Sequence, residues 1–270
     1  MANSTYIFGR GYLSATRLNL QHFLWKENLG NDSHPNIPME HHNTKIADVG
    51  TGTGYIWFLS LAKRLPSSFQ LNGFDISSKQ YPAVLPKNVT LQIADALQNP
   101  PSESIGEYDV VHIRLFMGVI SDNDPLPLLR HFFAEPGGYI QWEEYDLSAQ
   151  KVISSQPSSP TKNLAEMSER MQTRWPTSWV KSLLHIFEAQ GLEIIAVDTK
   201  RLSEWYAKMS TEVDCILRKE FASTVLDQKG PPGSGEELRN QIQATYEEVE
   251  QGSCISNLLQ VVVGRKAPQA

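Results

Sequence analysis

The sequence predicts a single α/β domain, built on a largely parallel sheet with helices on both faces. Apolar runs of strand length alternate with helix-forming segments between residues 44 and 200. A glycine-rich turn at residues 50–54 directly follows the first apolar run, and a Pro-Gly-Gly turn at residues 136–138 enters the fifth. Such alternation is typical of βαβ units, whose parallel sheets are buried between helices.

The N-terminal segment predicts a helical cap on this core. Leu13, Phe23 and other apolar residues recur at helical spacing over residues 12–29, which indicates an amphipathic helix. Gly30 is a suitable C-terminal stop for that helix. The polar, proline-containing residues that follow predict a loop, so the cap and its loop occupy residues 1–43.

Five apolar runs predict the strands of the core. These strands are expected near residues 45–49, 70–75, 89–93, 108–113 and 138–143. The intervening segments predict helices near residues 54–65, 78–82 and 124–134.

The regular alternation of strands and helices ends after the fifth predicted strand. Helices are expected near residues 161–173 and 179–190, a sixth strand near 191–197, helices at 202–227 and 236–251, and a seventh strand near 257–264. A break rich in glycine and proline at residues 230–235 separates the last two helices.

Composition and charge exclude several classes of function. With 270 residues and 40% hydrophobic content, the chain can bury one substantial core without a second domain. A net charge of −6 without a Lys/Arg cluster argues against a nucleic-acid partner. The two cysteines, Cys215 and Cys254, are too few for a disulfide framework, and no acid or cysteine cluster joins His41-His42 to form a metal site. No apolar run approaches the ~18 residues of a membrane span and no secretion leader opens the sequence, so we expect no membrane partner and a cytoplasmic location.

The glycine turn and the acids around it indicate a nucleoside cofactor. Asp48 precedes the glycines at residues 50–54, and Tyr55 stands where a dinucleotide fingerprint has its third glycine. Asp75 ends the second predicted strand, where a carboxylate can accept ribose hydroxyls. A negative charge at Asp48 is unfavourable beside a pyrophosphate and favourable beside a cation. The pattern therefore favours a sulfonium or ammonium cofactor over a dinucleotide.

This acid-x-Gly-x-Gly-x-Gly motif resembles the first motif of the class I S-adenosylmethionine-dependent methyltransferases. Asp95 in an Ala-Asp-Ala turn, the run at residues 108–113 and the run at residues 137–143 follow in that family's order. The segment from Phe8 to Trp25 and the terminal Val-Val-Val-Gly-Arg-Lys look like the fungal secondary-metabolite methyltransferases, in the group that contains the gliotoxin-pathway N-methyltransferase. This likeness covers nearly the whole chain.

The resemblance implies a Rossmann-like seven-stranded sheet that is mostly parallel. Its seventh strand is expected to be antiparallel and to lie between strands five and six. A single domain then comprises the cap and loop at 1–43, the core at 44–200, a helical lid insertion at 201–254 and the last strand at 255–266.

The resemblance also implies S-adenosylmethionine as the cofactor, with S-adenosylhomocysteine as its product. The glycines would approach the methionine portion, Asp75 would accept the ribose hydroxyls, and Asp95 would receive the adenine amine beside Ala96. The expected cofactor-binding residues are Asp48, Gly50, Thr51, Gly52, Gly54, Asp75, Ile76, Asp95, Ala96, Arg114 and Tyr12. Tyr12 or Trp142 could also face the sulfonium through a cation–π contact.

Methyl transfer requires alignment of donor and acceptor first, and a general base only where the nucleophile arrives protonated. His112, Arg114 and His22 are the candidate catalytic residues. Each has a structural alternative. His112 could pack inside the sheet, Arg114 could pair with an acid such as Asp109, and His22 could face solvent.

The sequence thus predicts a methyltransferase that acts on nitrogen or oxygen of a small natural product, as a monomer or homodimer. One alternative is a regulator of secondary metabolism that binds the cofactor and acts by association with partners. A second is a cofactor-binding cyclase without methyl transfer. A third, a nicotinamide-dependent oxidoreductase, is disfavoured by the glycine spacing and by Asp48.

Overall fold

The computed structural model describes residues 7–39, 43–54, 56–98, 106–120, 123–131, 136–175 and 177–268. Tyr55 and the His41-His42 pair, on which the sequence predictions drew, lie outside these residues.

The sheet has the predicted architecture. The strands are β1 (Lys45–Val49), β2 (Gln70–Asp75), β3 (Val89–Ile93), β4 (Val110–Arg114), β5 (Tyr139–Tyr145), β6 (Lys151–Ser154), β7 (Leu192–Arg201), β8 (Ser253–Ser256) and β9 (Leu258–Lys266). Seven of them form one sheet in the order β3-β2-β1-β4-β5-β9-β7. The first five strands are parallel, and β9 is antiparallel to both β5 and β7. The Rossmann-like sheet with its inserted antiparallel last strand is therefore confirmed.

Strands β6 and β8 form a separate two-stranded antiparallel sheet that the sequence did not predict. Each has four residues, and runs of that length carry little periodic signal.

The helices are α1 (Tyr12–Leu29), α2 (Ile56–Ala62), α3 (Leu126–His131), α4 (Lys162–Arg174), α5 (Ser178–Lys181), α6 (Leu183–Ala189), α7 (Glu204–Phe221), α8 (Asp227–Lys229) and α9 (Ser234–Glu250). The helix predicted at 78–82 was wrong, because residues 79–80 form a turn and the neighbouring residues are irregular. Pro82 disfavours helical backbone at the residue before it, and the segment is too short to compensate. The helix predicted at 179–190 is divided at Ser182 into α5 and α6.

The sheet is buried between two apolar layers, as predicted. On one face, Val111, Ile113 and Trp142 pack with Leu183 and Phe187 of α6. The opposite face includes Ile46, Val110 and Val263, which pack with Trp57, Phe58 and Leu61 of α2. Because both faces are covered, the carboxyl-end edge of the parallel strands is the natural place for a ligand.

Helix α1 has the predicted bounds but not the predicted amphipathic face. Its buried residues are of both kinds: Leu24 and Trp25 are buried as an apolar face requires, but so are Arg17, Gln21 and His22. Leu13 and Phe23, in contrast, are 57% and 43% exposed. Arg17, Gln21 and His22 line a cavity at the edge of the sheet, whereas Trp25 packs in an apolar cluster with Tyr145. Gly30 ends the helix as predicted, with φ of 85° and its N–H donating to Lys26 O.

A helical layer built from α4, α7, α9 and the β6–β8 sheet lies beyond the core. Leu164 and Met167 of α4 pack there with Ala207 and Cys215 of α7 and Ile242 of α9. Helix α7 also packs on α1. Among the described helices, none is long and apolar enough to cross a membrane.

Candidate functional site

A cavity of about 170 Å³ lies at the carboxyl ends of β1, β2, β3 and β4, beneath α1. The predicted residues that line it are Asp48, Gly50, Thr51, Gly52, Asp75, Ile76, Asp95, Ala96, Arg114, His112 and His22. Gly54 and Tyr12 were predicted to bind the cofactor and do not line the cavity. Gly54 is buried against Leu91, and Tyr12 is 80% exposed. The fold thus places eleven of the predicted site residues at this cavity and two outside it.

The three glycines of the loop are required by its backbone conformation and by close packing around it. Gly50, Gly52 and Gly54 have φ of 69°, 60° and 63°, in the left-handed region that glycine adopts without steric cost. A Cβ on Gly50 would lie 2.5 Å from the Phe116 ring, and one on Gly54 would lie 2.6 Å from Leu91. Gly54 is therefore needed for packing of the loop rather than for the cavity wall.

Asp75 connects the glycine loop to the end of β2. Its Oδ2 accepts the Gly52 N–H at 2.9 Å and its Oδ1 accepts the Ser77 N–H at 3.1 Å. Burial raises the pKa of Asp75, and the two backbone hydrogen bonds oppose that rise. Each carboxylate oxygen keeps a second acceptor position at the cavity.

Asp95 follows β3 and shapes the turn at the far end of the cavity. Its Oδ1 accepts the Leu97 N–H at 3.0 Å, which is the hydrogen bond of an Asx-turn. Ala96, between them, packs against the core cluster. The second oxygen of Asp95 takes no part in this turn.

His112 lies at the centre of a buried chain of charged groups. Its Nδ1 is 2.7 Å from Asp48 Oδ1, its Nε2 is 3.7 Å from Glu143 Oε2, and its ring stacks on Trp57 with centroids 4.2 Å apart. Burial alone would lower the pKa of His112, but the hydrogen bond to Asp48 and the nearby charge of Glu143 raise it above its ordinary value. His112 thus lies between two acids, and its Nδ1 contacts one oxygen of the Asp48 carboxylate that was predicted to face a cationic ligand.

Arg114 continues the chain toward α1. Its Nη1 is 3.7 Å from Glu143 Oε2, and its Nη2 donates to His22 Nδ1 at 3.0 Å. The predicted alternative partner, Asp109, instead accepts the Lys45 backbone N–H. Burial opposes ionisation of Glu143, but contacts with His112 and Arg114 lower its pKa below the usual range.

His22 is buried, with 4% of its surface exposed, so the alternative in which it faces solvent was wrong. Burial and the neighbouring Arg114 lower the pKa of His22 to about 2. The ring is therefore neutral at physiological pH. Its Nδ1 accepts from Arg114, which leaves the proton on Nε2, directed toward Asp32 at 3.7 Å.

Glu143 and Glu144 point to opposite faces of β5, as strand alternation predicts. Glu144 accepts the Phe116 N–H at 2.6 Å, the Trp142 Nε1–H at 2.9 Å and the Met117 N–H at 3.4 Å. It thereby holds the 3-10 turn at residues 116–118, which lines the cavity. Trp142 itself is fully buried and takes part in the core, so the predicted cation–π role for it was wrong.

Sequence reasoning missed the residues that complete the cavity on the side of the helical layer. These include Phe8, Arg10, Arg17, Gln21, Phe116, Met117, Trp175 and Leu217. Arg17 pairs with Glu220 of α7 through two contacts of 3.2 Å. Arg17 and Gln21 lie four residues apart, so their place on one helix face with His22 was a signal available in the sequence.

Comparisons with known proteins identify similar sequences. A family model described as "Methyltransferase domain" matches residues 21–197. The methyltransferase grgD from a Penicillium species is 28% identical over 266 residues, which cover 92% of this chain and 91% of that protein. The N-methyltransferase verN from Clonostachys rogersoniana is 30% identical over 53% of this chain and 51% of its own length. The secondary metabolism regulator LAE1 from Hypocrea atroviridis is 28% identical over 67% of this chain and 50% of its own length.

Proposed function

We propose that this chain, which belongs to the methyltransferase-domain family, transfers a methyl group from S-adenosylmethionine to nitrogen or oxygen of a small natural product. The observation that carries the proposal is one cavity that holds the glycine loop, Asp75 and Asp95 together. The family match confirms the resemblance seen in the sequence, and similarity to fungal methyltransferases supports the substrate class.

The residues at the cavity fit the proposed donor. Gly50 and Gly52 present backbone without side chains, which allows close approach of a methionine group. Asp75 and Asp95 each have carboxylate acceptors for a ribose hydroxyl and an adenine amine. Arg114 is 18% exposed at the cavity and can approach a carboxylate there.

When bound, the donor supplies an electrophilic methyl group and departs as a neutral thioether. The contribution of the chain is to align the acceptor and exclude water, which can supply several kcal/mol to such a displacement. Helix α1 and the turn at residues 116–118 cover the cavity, and Phe8, Met117 and Trp175 give it apolar walls. The chain of His112, Glu143, Arg114 and His22 keeps the floor of the cavity in place.

Nitrogen is the favoured acceptor atom. Of the histidines that line the cavity in the described part of the chain, His22 uses its Nδ1 lone pair to accept from Arg114, and His112 is 1% exposed with its Nδ1 held by Asp48, so neither is placed to take a proton from an acceptor. A neutral amine can attack before it loses its proton, whereas an alcohol needs a base. The N-methyltransferase verN among the similar proteins agrees with this choice.

Calorimetric titration tests the donor. We expect S-adenosylmethionine and S-adenosylhomocysteine to bind and NAD not to bind; tight binding of NAD alone would overturn the proposal. Incubation with a donor labelled in its methyl group then tests the reaction, with amine and phenol acceptors of the same skeleton. Label in the amine supports the proposal, and a transformed product without label would favour the cyclase alternative.

The regulator alternative has one specific observation in its favour, the similarity to LAE1. A regulator would form a stable complex with another protein and leave small molecules unlabelled. We also propose that the acceptor is a small molecule and that the chain is a monomer or a homodimer. A cytoplasmic location without a nucleic-acid or membrane partner belongs to the same proposal.

A further inference from the structure

A second cavity, of about 270 Å³, lies in the helical layer between α4, α7 and α9. We call it the lid cavity. Its walls include Arg170 and Arg174 of α4, Arg218 and Phe221 of α7, and Ser234 of α9. Trp175 lines both this cavity and the one at the sheet edge, so the two are neighbours across one indole ring.

Two residues that line the lid cavity each carry a buried polar atom without a hydrogen-bond partner within the described residues. Arg218 is 6% exposed; its Nη2 donates to Met167 O at 2.8 Å, but its Nε–H makes no hydrogen bond there. The Ser234 Oγ is buried and equally unpaired in that part of the chain. Buried donors without acceptors are rare in folded proteins because desolvating them is costly. Unpaired buried donors occur elsewhere in the described residues too, for example at Trp179 Nε1, but Arg218 and Ser234 line one cavity, where a ligand can supply the acceptor.

The charges around the lid cavity specify the sign of that ligand. Arg170 donates to Gln241 at 2.6 Å and Arg174 lies over Trp175 and Phe221, with ring-centroid distances of 5.9 and 5.4 Å. Within the described residues, no carboxylate oxygen lies within 4.0 Å of a guanidinium nitrogen of these arginines or of Arg218. One acid, Glu237, lines the cavity, and its Oε1 accepts from Gln241. The cavity is therefore electropositive.

We propose that the lid cavity binds a small organic anion, a carboxylate on an aromatic or other flat apolar body. The carboxylate accepts from Arg218 Nε and Ser234 Oγ, and the apolar body lies against Trp175 and Phe221. A guanidinium paired with a carboxylate gives a strong, directional hydrogen bond, and the aromatic walls favour a flat ligand. This site is separate from the cavity at the carboxyl ends of the parallel strands, where we place the methyl donor. Its existence does not depend on the proposed methyl transfer.

Titration of the full chain with 2-naphthoate, followed calorimetrically, tests the proposal. We expect saturable binding with a dissociation constant below about 1 mM and at least tenfold weaker binding of the uncharged 2-naphthamide, because charge-assisted hydrogen bonds are about twice as strong as neutral ones. Ser234→Ala removes one of the proposed donors and Arg174→Gln removes a positive charge from the cavity wall, so each should weaken naphthoate binding about fivefold or more. Arg130→Gln, an exposed arginine on α3 outside the lid cavity, should leave it unchanged.

Saturating S-adenosylhomocysteine should not displace naphthoate, since the two cavities are distinct. Equal affinity for naphthamide, equal affinity in all variants, displacement by S-adenosylhomocysteine, or no saturable binding would each overturn the proposal. The circular dichroism spectra of the Arg174→Gln and Ser234→Ala variants should match that of the parent chain, because neither Arg174 nor Ser234 belongs to an apolar core cluster.

Discussion

At Asp75, one carboxylate accepts hydrogen bonds from Gly52 and Ser77 and also lines the cavity. Asp75→Ala removes the predicted ribose acceptor together with the support of the loop. We expect S-adenosylhomocysteine to bind about 1 to 3 kcal/mol more weakly, the usual effect of losing hydrogen bonds to a charged group. Calorimetric titration measures this, with Asp198→Ala, outside the cavity on β7, as control. Unchanged affinity would mean that the ribose lies elsewhere.

Gly50 combines a positive φ with a close approach to Phe116. Gly191 has a similar φ of 75°, but a Cβ there would meet nothing within 4 Å. Gly191→Ala should therefore lower the free energy of unfolding by about 1 to 2 kcal/mol, the cost of left-handed backbone. Gly50→Ala should lower it by about 1 kcal/mol more, because the Phe116 ring must move. Urea denaturation measures both, and equal losses would contradict the packing role of Gly50.

Between elements, the Arg17–Glu220 pair joins α1 to α7, with side chains 3% and 9% exposed. Arg17→Ala would leave a buried carboxylate without its partner, which typically costs about 3 to 5 kcal/mol. The Arg239–Asp227 pair connects α9 and α8 at the surface, where solvent screens both charges. We expect Arg239→Ala to leave the urea midpoint almost unchanged. Similar shifts in the two variants would show that the α1–α7 contact does not depend on this pair.

The turn at residues 116–118 depends on Glu144 of β5, whose pKa burial raises to about 8. The unfolded carboxyl titrates near its ordinary value, so the folded state binds an extra proton between these two pH values. The resulting contribution to stability is complete below pH about 4.5 and is lost as pH rises through about 8.

We expect Glu144→Gln to keep the turn, since the amide oxygen can still accept the Phe116 and Trp142 N–H groups. The decline in unfolding free energy between pH 5 and 8 should be smaller in this variant, by on the order of 1 kcal/mol or more. Urea unfolding across that pH range provides the measurement. A decline of the same size in parent and variant would show that Glu144 is ionised throughout.

At the scale of the molecule, the cavity proposed for the donor gathers residues from α1, β1, β2 and β4 and from the turn after β3. A ligand that binds only the folded chain should therefore stabilise the whole domain. At a concentration of 100 times its dissociation constant, S-adenosylhomocysteine should add about 2.7 kcal/mol. For a chain of this size, that corresponds to a rise in Tm of about 5 to 10 °C. Thermal unfolding with NAD at the same concentration is the control, and an equal rise would contradict the donor assignment.

The sequence by itself determined the parts of this protein that depend on neighbouring residues. Buried strands appear as short apolar runs, and Gly50, Gly52 and Gly54 reveal a left-handed loop because few other residues tolerate that backbone. Asp75 and Asp95 follow their strands directly, and parallel strands end at one edge of the sheet, so their meeting was predictable.

Only the tertiary structure decided what each polar group does. The chain from Asp48 through His112 and Glu143 to Arg114 crosses three strands, and its pKa values follow from burial that no local pattern records. The polar face of α1 is buried because it covers a cavity. Arg218 and Ser234 meet at the lid cavity only through the packing of α7 on α9. Local sequence specifies backbone conformation, whereas charge and hydrogen-bond partners are set by contacts between distant residues.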